Sequence, residues 1–410
     1  MGNSPVVLGL DFGGTKIAMA VCDLMGNQLA SATVSTGAEP GASTPAGRQG
    51  AQAIFDRGIR AARDLLADVA PGNELAAVGA ATFGIPFEDR VELAPAIDGW
   101  EALALGRELR AAFTGAKIRM ATDAKAAAAA ELRWGALHGC DPGVYLNLGT
   151  GLAAAIVIGG QVVGGGNGAA GEIGYNLRAI SDVGRALDQR VPLEGVVSGQ
   201  GLARRAAAPG TGRAGTATHG THGPGTDGPG TAQPGSGGQG PAAPGHPAAR
   251  PMTAADIFEA GRGDPELDEL LTRFAAELAF HLVNLAICLN PVRISVGGGM
   301  VRSWERLRPQ LERALNAGVP FPPELVVAQF PYDAPLLGAV ALALDAAQGH
   351  DAGQGHDAGQ GHDAGQGNEK QHRGTSQDGA RSQDRGGDGA AVPVSEDTMY
   401  QNTMIQDTLA

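Results

Sequence analysis

Twice in this chain a short apolar strand runs into a glycine turn and emerges directly as another strand. Val6 to Leu10 leads into Asp11-Phe12-Gly13-Gly14-Thr15-Lys16, then Ile17 to Val21, and Gln28 to Val34 follows beyond the turn Met25-Gly26-Asn27. Val144 to Leu148 leads into Gly149-Thr150-Gly151, then Leu152 to Ile158, and Gln161 to Val163 follows beyond Gly159-Gly160. In P-loop and dinucleotide motifs the glycines open a helix. Here they open strands, which excludes both motifs and makes each glycine run the tip of a β-hairpin. The echo predicts two related halves facing each other. Each tip reads either as an ordinary tight hairpin or as an anion cradle, since small side chains let backbone N–H groups approach a phosphate. In the first, Thr15 adds a hydroxyl and Asp11 can offer a carboxylate to a Mg²⁺ shell.

Between the hairpins, the stretch from Arg119 to Gly151 brings a carboxylate close to the second tip in sequence. An apolar strand, Ala116 to Ala121, is followed by Asp123 and an alanine-rich helix, Ala124 to Gly135. Asp123 is then either a helix N-cap or a reactive carboxylate where ligands of open α/β sheets collect, at the carboxyl end of a strand. A base and a phosphate cradle so spaced suggest phosphoryl transfer.

The remaining pattern alternates strands and helices, as an α/β protein requires. A helix from Arg48 to Leu66 precedes a buried strand, Ala76 to Thr82, that enters Phe83-Gly84-Ile85-Pro86; a helix from Leu103 to Phe113 follows. The glycine-dense loop Gly164 to Tyr175 carries Glu172 and Tyr175, and Glu194 stands ahead of a helix from Val196 to Ala206. So much glycine implies backbone packed against a ligand or against itself. Thr253 and Asp256 form a capping box, and Asp264 with Pro265 caps a long apolar helix ending at Leu289. Arg293 to Val296 is a strand entering Gly297-Gly298-Gly299, before a helix from Trp304 to Leu315, a strand from Leu325 to Ala328 and a closing helix from Pro335 to Ala346. The expected domains are 1–122 with the closing helix 335–346, and 123–334. The segments 207–250 and 348–410 are too poor in apolar residues to build a core and are expected to be a disordered insertion and a disordered tail.

Composition narrows the partners. A net charge of -13 and a pI near 5.1 disfavour nucleic acid and anionic membranes. No stretch approaches an uninterrupted apolar span of about 20 residues, which argues against a membrane helix. The N-terminal residues lack the pattern of a signal peptide. Cys22, Cys140 and Cys288 lie far apart, which fits reduced thiols in a cytoplasmic protein; Cys22 and Cys288 are expected in the core.

Strung together, these motifs resemble the ROK family of bacterial sugar kinases and sugar-responsive repressors. The resemblance covers about residues 6–206 and 252–346. It rests on LGLDFGGTK, on GAATFGIP followed by ELAP and Trp100, on ATDAKAAAAAE with RWGA, on LNLGTG, on GxxGAAGEIG, on LExxxSG, on LNPxRISVGGG and on APLLGA, in that order. It implies an actin-like ATPase (ribonuclease H-like) fold of two domains with a cleft between them. It also implies ATP and Mg²⁺ as cofactors and a homodimer.

By the same resemblance, Asp123 is the general base for a sugar hydroxyl. Gly13, Gly14, Thr15, Lys16, Gly149, Thr150 and Gly151 cradle the phosphates, Gly297, Gly298 and Gly299 approach the adenosine, and Asp11 joins the Mg²⁺ shell. Gly84, Thr122, Glu172, Tyr175 and Glu194 line the sugar. The implied activity is a glucokinase-like hexose kinase, with an N-acetylhexosamine or other hexose, or a sugar-sensing regulator, as alternatives.

The departures bear on the same site. Thr122 and Lys125 stand where the family commonly has asparagines, and Tyr175 stands where it has a histidine that touches both sugar and a structural zinc. The cysteines of that zinc module are absent from Asn176 to Leu193, so no zinc is expected. Tyr175 either replaces the histidine at the sugar or fills vacated space. Lys125 either contacts a phosphate, lowers the pKa of Asp123 or, as the preferred expectation, is a solvated helix lysine.

Overall fold

The computed structural model describes residues 4–37, 50–208 and 252–349. The expected insertion and tail lie outside these residues apart from the first two of each. Both halves of the sequence echo become sheets of one topology. The first sheet contains β1 (Val6–Phe12), β2 (Lys16–Asp23), β3 (Gln28–Ser35), β4 (Leu75–Thr82) and β7 (Lys117–Thr122), while β5 (Ile85–Pro86) and β6 (Val91–Glu92) form a small separate pair. The second contains β8 (Gly143–Leu148), β9 (Leu152–Ile158), β10 (Gln161–Val162), β11 (Arg293–Gly297) and β12 (Glu324–Val327). Their orders, β3-β2-β1-β4-β7 and β10-β9-β8-β11-β12, are the same arrangement. In each, an antiparallel meander is followed by two parallel strands added on the far side of its first strand.

Central strands are apolar on both faces and edge strands are not. β1 is buried almost throughout, whereas β3 alternates between exposed and half-buried residues, as an edge strand with one solvated face must. In the first sheet, Phe12 pairs with Thr82 and Thr82 with Thr122, so β1, β4 and β7 end level. Gly13, Gly84 and Asp123 therefore leave the sheet at the same edge.

Several helices cover these sheets. α1 (Ala51–Val69) buries Ile54, Phe55, Ile59 and Ala62 against the first sheet. The helix expected from Leu103 is in fact a 3₁₀ turn at Trp100–Ala102 and then α2 (Leu105–Ala112). Trp100 is fully buried, packs at a tilt against Phe12 and Phe83, and donates its indole N–H to the Thr82 hydroxyl at 3.0 Å. α3 (Asp123–Trp134) follows β7. In the second half come α4 (Gly199–Ala207), α5 (Ala254–Ala260), α6 (Pro265–Leu289), α7 (Trp304–Gly318) and α8 (Ala334–Gln348). α4 starts later than its apolar pattern predicts, because Ser198 caps it by accepting from Gly201 N–H at 3.0 Å. α6 is capped by Asp264, which accepts from Glu266 and Leu267.

The apolar face of α6 packs into the core of the second sheet through Leu270, Leu271, Phe274, Leu278 and Leu282. α6 is long and apolar enough to cross a membrane by length and composition, although Arg273, Glu277 and His281 interrupt its apolar run. Half of that apolar window is, however, buried within this core. The thiols need a correction: Cys22 and Cys140 are buried, while Cys288 lies on the exposed side of α6.

The alanine run of α3 has a packing reason. α3 follows β7 of the first sheet yet lies against β8 and β9 of the second; α8 follows β12 of the second sheet yet lies on β1, β4 and β7 of the first. The two helices pack on each other. A Cβ on Gly338 of α8 would overlap the backbone of Ala126 in α3, and one on Gly79 of β4 would overlap the Ala339 carbonyl. Only small residues permit so close an approach.

Glu131, fully buried on α3, secures the arrangement. Its Oε1 accepts from Phe330 N–H at 2.8 Å, and its Oε2 accepts from Ala136 at 2.7 Å and Gln329 at 3.1 Å. The carboxylate thus ties α3 to the chain that enters α8.

Gly338→Val is expected to destabilise the protein by more than about 3 kcal/mol, because backbone atoms would have to separate. Gly14→Ala, where a Cβ meets nothing within 4 Å, is expected to stay within about 0.5 kcal/mol of the parent. Urea unfolding of both variants measures the difference.

Candidate active site

The level ends of β1 and β7, on either side of β4, carry Asp11 and Asp123 to one edge of the first sheet. Asp123 is the first residue of α3, not its cap: Thr122 caps the helix, its hydroxyl accepting from Lys125 N–H at 3.3 Å. The N-cap alternative for Asp123 is thereby removed. Its Oδ1 accepts from Ala124 N–H at 2.6 Å. Burial pushes the Asp123 carboxyl up to about 6; the Ala124 N–H opposes this, the charges of Glu172 and Glu194 add to it, and Lys125 opposes it again.

Asp11, beside the first hairpin tip, is pushed up to about 7 by burial and then by the charge of Asp123, with Lys16 opposing and Asp333 adding. Asp11, Asp123, Glu172 and Glu194 therefore lie within one electrostatic neighbourhood, although they come from both halves of the sequence. Asp333, at the start of α8, joins it. Sequence reasoning missed Asp333, whose signal is an acidic residue ahead of Ala334-Pro335 at a helix entry.

The glycine-dense loop closes back on α3. Lys125 is 6% exposed, and its ammonium lies 3.3 Å from Glu172 Oε1. A solvated helix lysine, the preferred expectation, is therefore incorrect. The helix position alone leaves Lys125 facing either way, and the returning loop buries it. Burial raises the Glu172 carboxyl, and Lys125 opposes that rise by charge and hydrogen bond. A Cβ on Gly168 of the same loop would come within 2.8 Å of Ile85, so the loop also reaches the chain leaving β4.

Glu194 sits in a 3₁₀ turn, Leu193–Gly195, and its Oε2 accepts from Leu152 N–H at 2.8 Å. A Cβ on Gly151 would lie 2.5 Å from that oxygen and would push the Glu194 carboxylate aside. Glu194 thus touches the second hairpin tip, which sequence alone does not indicate.

Tyr175 ends the 3₁₀ turn Ile173–Tyr175, and its hydroxyl pKa is raised by burial, then by Glu194 and Glu172. Its carbonyl and that of Asn176 accept from Arg190, at 2.8 and 3.3 Å. Sequence reasoning also missed Arg190. Where the family pattern would place cysteines, the segment is held by Arg190, by the Arg178–Glu277 ion pair at 3.2 Å and by Asn176 beside His281 at 3.3 Å.

Other predicted positions fall at the same edge for different reasons. In the second sheet, a Cβ on Gly149 would lie 3.6 Å from Gly299 N, so the hairpin tip and the glycine run after β11 adjoin. Gly298 has φ +91° with the Leu148 carbonyl 2.6 Å from where a Cβ would sit, and Gly297 lies against the Tyr145 hydroxyl. Gly84 also has positive φ, and its Cβ would meet Ala94 and the Glu92 carbonyl. Packing against β6 is thus sufficient reason for that glycine. In the first tip, the Gly14 carbonyl accepts from the Thr36 hydroxyl at 3.0 Å and the Thr15 carbonyl from Thr36 N–H at 3.0 Å.

Among the described residues no group of three or more His, Cys, Asp or Glu is disposed to hold a metal ion alone. Mg²⁺ fits the donor set that is present, since it binds through one or two carboxylates and completes its octahedron with phosphate oxygens and water. Asp11, crowded by like charge, is such a carboxylate.

Known proteins share this fold. A glucokinase of Streptomyces coelicolor is 34% identical over 179 residues, 43% of this chain and 51% of that protein, so the match spans about half the length of that relative. The crystal structure of a ROK hexokinase from Thermus thermophilus superposes with a TM-score of 0.60 at 26% identity, covering 83% of this chain and 98% of that one. That of a ROK family glucokinase from Streptomyces griseus, in complex with glucose and AMPPNP, gives 0.57 at 28%, covering 82% and 98%. The chain has the actin-like ATPase fold of these structures. Residues 7–346 match the ROK family model, and the chain belongs to the ROK family.

Proposed function

We propose that the chain is an ATP-dependent sugar kinase that transfers the γ-phosphate of ATP to a hydroxyl of a hexose, with glucose as the first candidate. One observation supports this most directly: Asp123 stands at the carboxyl end of β7, within electrostatic reach of Asp11 at one hairpin tip and of Glu172 and Glu194. Relatives named as glucokinase and as hexokinase support the same reading.

In this proposal the two sheets are the cores of two lobes, residues 1–122 with the closing helix 335–346 and residues 123–334, and substrates meet between them. The backbone of Gly13, Gly14, Thr15, Gly149, Thr150 and Gly151, with Lys16, receives the phosphates, and Gly297, Gly298 and Gly299 admit the adenosine. Glu172 and Glu194 accept hydrogen bonds from sugar hydroxyls, beside Thr122, Tyr175 and Gly84, and so hold one hydroxyl against Asp123. Orientation of this kind supplies much of the rate. Asp123 takes the proton of that hydroxyl as its oxygen bonds to the γ-phosphorus and ADP leaves. A carboxylate suffices, because phosphoryl transfer depends on alignment and charge stabilisation more than on a strong base. Mg²⁺, held by Asp11, would screen the phosphate charge.

The pH dependence has a definite sign. Asp123 must be ionised to accept a proton, and its carboxyl is raised to about 6 by burial. Sugar turnover is expected to rise with pH through about 6 and to lose activity below it. Asp123→Asn is expected to lower kcat by at least about 100-fold while ATP still binds. A coupled ADP-release assay over a panel of hexoses and N-acetylhexosamines measures both and names the sugar; turnover that survives in Asp123→Asn would remove the base.

Stability should move the opposite way. A carboxyl raised on folding binds its proton more tightly in the folded chain, so stability falls as pH rises from about 4 to about 7. Asp123→Asn is thus expected to raise the melting temperature at pH 8, measured without ligands, while activity is lost.

A further inference from the structure

Lys125 is buried at the centre of the candidate site, one helical residue beyond Ala124, where its ammonium meets a single oxygen of Glu172 at 3.3 Å. An ammonium so enclosed is stable only with a partner. The groups facing Glu172 are Lys125 and Asp123 on α3, Glu194 in its 3₁₀ turn and Tyr175 in the same loop. Lys125 is the only cation among them. We infer that Lys125 is a positioning residue for sugar binding: it engages Oε1 of Glu172 and leaves Oε2 as the acceptor for one sugar hydroxyl.

The inference rests on the proposed sugar-binding role of Glu172. Three carboxylates crowd this place, and burial favours the neutral form of Asp123 and of Glu172. A protonated Glu172 would be free to turn and to donate, and would no longer present a fixed acceptor. The Lys125 charge opposes that protonation, and its N–H fixes the orientation of the carboxylate. The effect of Lys125 on sugar affinity should therefore pass chiefly through Glu172, its weaker pull on Asp123 falling on turnover, and should fall on the sugar and not on ATP.

A double-mutant cycle tests this. Sugar dissociation constants are measured by calorimetry from pH 6 to pH 8, with the best sugar of the panel, for the parent, Lys125→Met, Glu172→Gln, Lys125→Met/Glu172→Gln and Lys125→Arg. Lys125→Met should weaken sugar binding at least about tenfold at pH 6 and less at pH 8, with ATP affinity within about twofold of the parent. Lys125→Arg should restore part of the loss. With Glu172→Gln already present, Lys125→Met should change sugar affinity by less than about twofold. Should Lys125→Met alone fail to fold, the double variant, which removes both members of the ion pair, still compares with Glu172→Gln.

Equal weakening by Lys125→Met in both backgrounds, or a loss of ATP affinity as large as that for sugar, would overturn the inference while leaving the kinase reading intact. A parent protein that binds no sugar in the panel would overturn both.

Discussion

The site depends on how closely α3 and α8 can approach each other. Each helix leaves one sheet and lies on the other, and they meet backbone to backbone at Gly338 and Ala126. α3 begins directly after β7 of the first sheet and α8 follows β12 of the second, so that contact sets where their first residues stand. Asp123 opens α3 and Asp333 precedes α8, and both are felt by Asp11 at the tip of the first hairpin. Glu131 reinforces the contact by taking backbone N–H groups from the entry to α8. The alanines of α3 are thus a steric condition for placing carboxylates from distant parts of the sequence together.

Putting those carboxylates together is unfavourable for the free protein. Asp11 and Asp123 are both held well above ordinary carboxyl values, first by burial and then by like charge, that of Asp123 acting on Asp11 and those of Glu172 and Glu194 acting on Asp123. Such strain collects at functional sites because the groups that relieve it are ligands. A bound cation and a hydroxyl donating to Asp123 would each lower the penalty, so binding and chemistry draw on the same electrostatic imbalance. Lys125 and Lys16 moderate it within the protein.

Much of the architecture is legible in the sequence because it is written in short-range patterns. The two strand–glycine–strand units appear as antiparallel hairpins of two sheets with the same order, and the caps at Thr253 and Asp264 form as local chemistry dictates. What escapes is set by contacts between distant segments. A lysine two residues into a helix has no sequence mark of burial, and Lys125 is enclosed only because the loop carrying Glu172 returns 47 residues later. Cys288 looks apolar by its neighbours yet falls on the outward side of α6. Gly84 resembles a ligand-contacting glycine, but a turn packed on β6 already requires it. Asp333 and Arg190 act through space on residues far away in sequence.

The central claim is that the strand-end carboxylate and the two glycine tips form one site for phosphoryl transfer to a sugar. Phosphorus NMR of the protein incubated with Mg²⁺-ATP and each sugar in turn tests it most directly. The account predicts a sugar-dependent phosphomonoester resonance that grows in step with ADP. Sugar binding without any such resonance, for every sugar that binds, would contradict it and leave a sugar-sensing protein in its place.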